Sequence, residues 1–184
     1  MKNYEKVNKP LTKDQQLEWL MSEFGKDVIR LAFTYTKQRQ LSEDIAQEVF
    51  IRCYQHIDVF RHESSYKTWI FRITINLCKD YFRSWTYKHI TISDLFSKSM
   101  FTNESPESEV ITVEKNRTIA DFVLALPVKY REVIILYYYE EMSYIEISET
   151  LSISLQTVKA RLYRARLKLH KLFERSGFNE STIK

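Results

Sequence analysis

The sequence predicts an all-α protein of two small helical domains, and three observations support that fold class. Apolar residues recur at three- and four-residue steps through most of the chain, which is the spacing of one buried face of a helix. Only 2 Gly and 3 Pro occur in 184 residues, which favours long helices over a turn-rich β fold. The periodicity fades over residues 89–112. We therefore predict a first domain over residues 12–88, a flexible linker over 89–112 and a second domain over 113–175.

Three helices are predicted in the first domain. A stripe of apolar residues predicts one helix within residues 12–40, with a break expected near Gly25. We expect the next helix to begin at Ser42, with Asp44 in its first turn, where the positive end of the helix dipole favours an acid. Its predicted core residues are Ile45, Val49, Cys53 or Phe50, and Ile57. A third helix over residues 68–85 is predicted to turn five residues inward: Trp69, Ile70, Ile73, Leu77 and Tyr81.

The second domain is predicted to end in a helix-turn-helix over residues 143–169. Before it, Pro127 suits the first turn of a helix over residues 128–139. The last helix is expected to begin after Ser154, whose hydroxyl can accept a free backbone N–H. Val158, Leu162, Ala165 and Leu169 form its apolar face.

The other sides of the last helix carry groups that suit the DNA major groove, namely Gln156, Lys159, Tyr163, Arg164 and Arg166. Arg and Lys can reach guanine edges and phosphates, and Gln can pair with adenine. A surface helix with a solvated basic face is the alternative interpretation of this helix alone. The short helix and turn before it favour DNA binding.

Charge is distributed unevenly along the chain. Net charge is +4, but residues 61–88 and 156–175 are both basic, whereas residues 41–50 hold three acids and no base. Two basic segments suggest two contacts with nucleic acid, and the acidic one suggests a surface for another partner. No apolar run approaches a membrane span and no signal-peptide core is present, so we expect a cytoplasmic protein. Cys53 and Cys78 fit no metal or redox spacing and are expected to be core thiols.

Four segments in order resemble the extracytoplasmic-function (ECF) sigma factors of bacterial RNA polymerase. They are residues 42–50 (SEDIAQEVF), 68–83 (TWIFRITINLCKDYFR), 126–133 (LPVKYREV) and 157–166 (TVKARLYRAR). The resemblance covers residues 15–175 and implies a sigma-2 and a sigma-4 domain. It implies that the protein binds core RNA polymerase, directs promoter recognition, melts the −10 element and initiates transcription, for a stress or envelope-response regulon.

The resemblance also implies roles for individual residues. The loop over residues 60–67 matches the segment that captures a flipped −10 base, which needs stacking and cationic groups. Asn76 matches the position that contacts the upstream −10 base. The implied −10 residues are Arg61, His62, Tyr66, Lys67, Arg72, Asn76, Lys79 and Arg83. The implied −35 residues are Gln156, Thr157, Lys159, Ala160, Arg161, Tyr163 and Arg164. For Arg161, contact with backbone phosphates is the alternative.

The polymerase-binding helix is implied to hold Asp44, Gln47, Glu48 and Phe50. The alternative for the acids is simple helix-start chemistry, and for Phe50 a place in the core. Two positions depart from the family pattern: Ser148 stands where Ala is usual, and Ser152 where the turn usually has Gly. A left-handed conformation is less favourable for Ser than for Gly, so the turn is expected to be wound differently.

Other function classes fit less well. A response-regulator output domain would need a preceding α/β domain, and residues 1–110 show no strand alternation. His56, His62, His89 and His170 have no metal spacing, and no phosphate loop or nucleophile–base pair is suggested, so we expect no catalytic residues, metal, cofactor or small-molecule substrate. A plain adaptor bundle would not explain two basic segments. The family further implies an anti-sigma partner, which is often membrane-anchored.

Overall fold

The structure is a computed structural model that describes residues 12–61, 63–93 and 119–176, with the backbone alone for residues 85–93. Within these ranges the chain forms helices and no strand, which confirms the all-α prediction. His62, most of the predicted linker (94–112), residues 113–118 and the tail from residue 177 lie outside the described residues.

Helix α1 (Lys13–Thr36) begins with a reciprocal cap. Thr12 Oγ1 accepts the Gln15 N–H at 3.3 Å, and Gln15 Oε1 accepts the Thr12 N–H at 3.0 Å. The break expected near Gly25 is wrong, because α1 continues through it. Leu20, Val28 and Leu31 on either side of Gly25 are fully buried, and this burial outweighs the modest helix preference lost at one glycine.

Helix α2 (Arg39–His56) begins three residues before the predicted Ser42. Ser42 is buried, and its hydroxyl lies 2.6 Å from the Gln38 carbonyl oxygen and 2.7 Å from Thr36 Oγ1. Asp44 therefore lies beyond the first turn, so its predicted helix-start position is wrong. The core face is confirmed, since Ile45, Val49, Phe50, Cys53 and, just after the helix, Ile57 are all buried.

Helix α3 (Tyr66–Ser93) is longer than the predicted 68–85. Its start is fixed by Ser65 Oγ, which accepts the Thr68 N–H at 3.1 Å. Tyr81 is 41% exposed, so its predicted inward position is wrong. The reason is that the buried face is wider than the predicted stripe and centred differently: it comprises Thr68, Ile70, Phe71, Thr74, Ile75, Leu77 and Cys78, with Trp69 and Ile73 only partly buried.

The second domain contains α4 (Ile119–Ala125), α5 (Val128–Ile134), α6 (Tyr144–Leu151) and α7 (Leu155–Ser176). Pro127 precedes α5 as predicted, but the last part of the predicted helix, Ile135–Tyr139, is wound as a π-helix. The start of α7 is confirmed, because Ser154 Oγ accepts the Thr157 N–H at 3.2 Å. Val158, Leu162 and Ala165 are buried as predicted.

The two domains pack directly against each other, α1 against α5 and α3 against α6. Their buried apolar side chains form one continuous cluster that extends from Leu20 to Ala165. This packing places three of the predicted −10 residues of α3, Lys67, Arg72 and Lys79, beside the second domain.

Candidate nucleic-acid interface

Helix α7, the last helix of the helix-turn-helix, presents most of its predicted −35 residues to solvent. Gln156, Lys159, Ala160, Tyr163 and Arg164 are exposed, and Thr157 is half-buried beside the Ser154 cap. Tyr163 is 63% exposed, an unusual position for an aromatic side chain in a helix whose other face is buried. This face can therefore enter a groove without any change in the packing of α7.

Arg161 does not share that face. Its Nη1 donates to Glu132 Oε1 at 2.7 Å, and the side chain is only 26% exposed. The contact ties the recognition helix to α5 inside the second domain. Arg161 is therefore placed to fix the position of α7, and in this arrangement it is turned away from the solvent face.

The turn between α6 and α7 follows the usual left-handed path, although the sequence has Ser where Gly is common. Ser152 has φ 54° and ψ 46°, so the expectation of a different winding is wrong. The second departure from the family pattern supplies a reason. Ser148 Oγ donates to the Ile153 carbonyl at 2.6 Å, and the Ile153 N–H donates back to the Ser148 carbonyl at 3.1 Å. These bonds hold the turn and offset the strain at Ser152.

The predicted −10 loop borders a polar cavity of about 480 Å³. Phe60 and Trp69 stack with ring centroids 4.7 Å apart and form one wall. Arg61 is exposed at the rim. Tyr66 is half-buried in an aromatic cluster, 4.8 Å from the Phe60 ring and 5.4 Å from the Trp19 ring. Flat aromatic walls with cations nearby are suited to hold an unstacked base. The other lining residues are His56, Val59, Glu63, Ser64, Arg72 and Glu149.

Three predicted −10 cations contact the second domain while remaining partly exposed to solvent. Lys67 Nζ lies 3.0 Å from Glu140 Oε2 and donates to the Glu140 carbonyl at 2.7 Å. Arg72 Nε donates to the Glu149 carbonyl at 3.0 Å, near the end of α6. Lys79 Nζ lies 4.0 Å from Glu132 Oε2. The carbonyls at a helix end lack partners within the helix, which makes them good acceptors for these cations.

The remaining predicted residues of α3 are exposed. Asn76 lies on the open side of the helix. Arg83 is paired with Asp80 at 2.6 Å, with the Arg83 side chain 81% exposed. Such an exposed pair stabilises little and can exchange for a phosphate.

Two buried carboxylates of the second domain, Glu132 and Glu140, pair with Lys79 and Lys67, and sequence reasoning did not find them. The Glu132 carboxylate also accepts the Tyr35 hydroxyl at 2.6 Å. Burial and this carboxylate raise the pKa of Tyr35 well above its usual value. Glu140 also pairs with Arg30 at 3.0 Å. The side chains of Glu132 and Glu140 are 3% and 2% exposed. Their sequence signal was one acid within the predicted helix over residues 128–139 and another acid directly after it.

Three of the four predicted polymerase-binding residues lie along the exposed side of α2. Asp44, Gln47 and Glu48 are exposed, whereas Phe50 is buried. The acids also make contacts along the helix: the Gln40 amide donates to Asp44 at 3.2 Å, and Arg52 pairs with Glu48 at 3.0 Å. Because α2 begins at Arg39, the dipole at the helix start does not explain Asp44.

Beside these residues, α1 and α2 enclose an apolar groove of about 770 Å³ that was not predicted. Met21 and Ile51 are 50% and 52% exposed at its edge. A Cβ added to Gly25 would meet nothing within 4 Å, so the glycine leaves this part of the groove open. The signal in the sequence was Ile51, an apolar residue outside the predicted core face of α2, whereas Met21 was assigned to the apolar stripe of the first helix. The other groove residues are Asp14, Leu17, Ile29, Glu43, Ala46, Gln47, Phe50, Tyr54 and Gln55.

The described part of the chain contains no group of His, Cys, Asp or Glu side chains arranged to hold a metal ion. Nor does any helix in the described ranges have the length and apolar character needed to cross a membrane. Cys53 and Cys78 are buried free thiols, as predicted, and burial raises the pKa of each to about 12.

Comparisons with known proteins agree with this two-part arrangement. The Sigma-70 region 2 family model matches residues 20–86, and the Sigma-70 region 4 model matches residues 117–169. The ECF RNA polymerase sigma factor SigM of Bacillus subtilis is 38% identical over 154 residues, which cover 84% of this chain and 92% of SigM. The sigma factor SigW of the same organism is 39% identical over 138 residues, covering 71% of this chain and 74% of SigW.

Solved structures support the fold. The sigma factor RpoE of Bartonella quintana, solved with the anti-sigma factor NepR, matches with a TM-score of 0.69 at 21% identity, covering 89% of this chain and 98% of RpoE. CnrH, solved with the cytosolic domain of CnrY, matches with a TM-score of 0.62 at 22% identity, covering 88% of this chain and 90% of CnrH. With both sigma regions matched in order and close relatives over most of its length, the chain belongs to the ECF sigma factors, which bind core RNA polymerase and direct transcription initiation at promoters.

Proposed function

We propose that the two domains of this sigma factor divide the promoter between them. The second domain reads the −35 element as duplex through the exposed face of α7, mainly with Gln156, Lys159 and Arg164. The first domain binds the −10 element through α3 and holds one unstacked base in the cavity behind Phe60 and Trp69. The observation that carries this division is the presence of two separate cation-bearing helices, one per domain, and of an aromatic cavity that α3 borders.

Each helix suits one form of DNA. An exposed helix with amide and guanidinium groups can make paired hydrogen bonds to base edges in the major groove. An aromatic cavity favours single-stranded bases, because stacking compensates for the loss of base pairing. On this proposal the protein contributes binding and melting and no bond-making chemistry of its own. It acts in the cytoplasm on a stress or envelope-response regulon.

The test is run-off transcription with Bacillus subtilis core RNA polymerase, the natural choice given the relatives in that organism. Templates are randomised over the −35 and −10 positions, and the transcripts are sequenced. We expect two short preferred blocks that appear only when the protein is added to core enzyme. A repressor-like helix-turn-helix protein would instead bind DNA alone and yield no transcript above core enzyme, and that outcome would reject the proposal.

The proposed polymerase-binding surface is the acidic side of α2 together with the apolar groove beside it. Asp44 and Glu48 would repel phosphates, so they suit a basic protein surface better than DNA. The groove adds exposed apolar area from Met21 and Ile51 next to those acids. Acidic rim and apolar centre are the usual layout of a protein–protein contact.

Two substitutions at Gly25 test the groove. Gly25→Leu should fill it and weaken capture of core polymerase, whereas Gly25→Ala should leave capture unchanged, because its Cβ enters open space.

Asp44→Lys should weaken capture more at low salt than at high salt, as expected for a charge at the rim. Capture is measured by pull-down, with circular dichroism as the folding control. Equal capture by all folded variants would assign the polymerase contact to another surface.

A further partner is proposed from the structural relatives. RpoE and CnrH were each solved with a second protein, which for RpoE is the anti-sigma factor NepR. We expect an anti-sigma protein for this chain as well. Co-purification of the tagged protein from unstressed cells of its source, followed by mass spectrometry, would identify it.

A further inference from the structure

The second half of α7, residues 165–176, carries cations that the proposed −35 contact does not use. Lys168, Lys171 and Arg175 are all exposed. They follow Arg164 at steps of four, three and four residues, so the four side chains form a cation row on one side of the helix. The cation row is about 16 Å long at 1.5 Å per residue. It begins at the edge of the face proposed to read the −35 element and continues away from it.

Contacts within the protein leave the cation row available to an anion. Among the described residues, none of its four members pairs with a carboxylate. The acid in this half of the helix, Glu174, pairs with His170 at 3.4 Å instead. Lys168 Nζ lies 5.7 Å from the centre of the Tyr130 ring, a cation–π contact that steadies the side chain and does not neutralise its charge.

The electrostatics of the helix end do not account for the cation row. A cation is favoured in the last turn of a helix, and this effect fades beyond that turn. Arg175 lies in the last turn of α7, whereas Lys168 and Lys171 lie before it. The dipole of the helix therefore explains Arg175 at most.

Packing fixes the second half of α7 in place. Ala165 is fully buried, and Leu169 and Leu172 pack against the core. The Phe173 ring meets the Phe122 ring of α4 with 4.8 Å between centroids. The cations consequently project from a rigid support, and little backbone freedom is lost when they bind a partner.

The length of α7 exceeds the width of a DNA groove. The helix has 22 residues and is about 33 Å long, whereas the major groove is about 12 Å wide. In a helix-turn-helix, residues near the start of the second helix contact base edges. With its first half in the groove, the second half of α7 passes the phosphate backbone beside it. Each strand carries one phosphate per about 3.4 Å of duplex axis, so cations about 5 Å apart can meet several phosphates.

A protein partner fits the cation row less well than DNA does. Protein contacts are usually centred on aromatic or apolar residues, and lysine is depleted in them. In the second half of α7, as far as the structure describes it, Leu167 is the one exposed large apolar residue, and such isolated residues are common on any surface. The cation row is also continuous with Arg164, which favours the partner that Arg164 is proposed to bind.

We propose that Lys168, Lys171 and Arg175 bind phosphates of duplex DNA just outside the −35 element. The inference rests on the proposed role of α7 in reading that element as duplex. These contacts add affinity without sequence preference, because the phosphate backbone is the same for every sequence. Each contact also releases condensed counterions, so it makes binding more dependent on salt.

The test removes two cations of the row in one variant, Lys171→Gln with Arg175→Gln. The matched control is Lys26→Gln with Arg39→Gln, which removes one exposed Lys and one exposed Arg from the first domain. Each full-length protein is titrated into a fluorescent duplex of mixed sequence, about 30 bp long, at several salt concentrations from about 20 mM upward. Fluorescence anisotropy gives the binding constant, and circular dichroism checks folding.

Loss of two phosphate contacts should reduce the slope of log K against log salt by about 1.8, since each contact contributes about 0.9. The control should reduce the slope much less. In run-off transcription from the randomised templates, the Lys171→Gln, Arg175→Gln variant should yield fewer transcripts with the same preferred −35 block. Uniform weakening of this kind separates a phosphate contact from a base contact.

Neutral methylphosphonate linkages locate the contact on the promoter. They are placed just outside the preferred −35 block, first on one side and then on the other, in promoter duplexes bound by the protein together with core polymerase. On one side they should weaken binding of wild type and leave binding of the Lys171→Gln, Arg175→Gln variant nearly unchanged, because that variant no longer holds those phosphates.

A slope equal to that of the control would overturn the proposal, and so would the absence of wild-type binding to the duplex at low salt. Reduced transcription with an unchanged slope would also overturn it, and would assign the cation row to a protein surface of the polymerase. Equal losses from methylphosphonates in wild type and variant would have the same consequence. The proposed promoter role fails separately, if wild type yields no promoter-dependent transcript, because the slope is measured without polymerase.

Discussion

Helices α3 and α7 carry similar sets of cations, yet the fold treats the two sets differently. On α7, Lys159 and Arg164 extend into solvent. On α3, Lys67 and Arg72 lie against the second domain and bind helix-end carbonyls there. The spacing of the cations does not account for this difference. It arises because Glu140, directly after the π-helical segment, and the end of α6 lie beside α3, whereas the exposed face of α7 has no helix packed against it in the described residues.

The largest expected effect is a loss of stability when Glu132 is replaced, because Glu132 contacts both Lys79 of α3 and Arg161 of α7. Glu132→Ala removes the carboxylate that accepts hydrogen bonds from Arg161 of α7 and from Tyr35 of α1. It also leaves two cations, Arg161 and Lys79, without their buried partner. Loss of one member of such a network should lower the free energy of unfolding by about 3–5 kcal/mol. Thermal and urea unfolding measure the effect. Glu149→Ala is the control, because its exposed carboxylate is not the group that Arg72 contacts; similar losses in both variants would contradict the assignment.

A smaller effect, on promoter preference, is expected when α3 and α7 are each altered separately. Asn76→Ala should weaken preference within the −10 block and leave the −35 block unchanged, and Lys159→Ala or Arg164→Ala should do the reverse. Each lost base contact is expected to cost about 1–3 kcal/mol, a fall in transcription of roughly 5- to 150-fold. Sequenced run-off transcripts from the randomised templates measure the preferences. Identical preferences in all three variants would remove the division between the domains.

The smallest expected effects are on stability, at two residues with a left-handed backbone conformation. They are Ser152 at the end of α6 and Lys37 at the end of α1. Ser152→Gly and Lys37→Gly should each stabilise the protein by about 0.5–1 kcal/mol, because glycine adopts this conformation without strain. Ser148→Ala should act in the opposite direction by about 1 kcal/mol, since it removes the bond to the Ile153 carbonyl. Urea unfolding of the three variants checks the signs. A gain for Ser148→Ala would show that this hydroxyl does not support the turn.

Local patterns were sufficient to predict that the chain is helical and which face of α7 is buried. The apolar stripe of α7 and its cap at Ser154 depend on neighbours within a few residues, and both predictions are confirmed. The start of α2 was predicted wrongly because it depends on Thr36, which belongs to the preceding helix and bonds with Ser42. The buried face of α3 was only partly predicted, because the stripe chosen from spacing missed Phe71, Ile75 and Cys78.

The sequence by itself determined the all-α class, the two domains and the sigma-factor family, because helical periodicity and ordered motifs are local properties of the chain. Only the tertiary structure decided which cations face solvent. The contacts of Lys67 with Glu140 and of Tyr35 with Glu132 join residues far apart in sequence. Their energies depend on burial and on which helix ends meet, and neither is encoded in the spacing of residues along one helix.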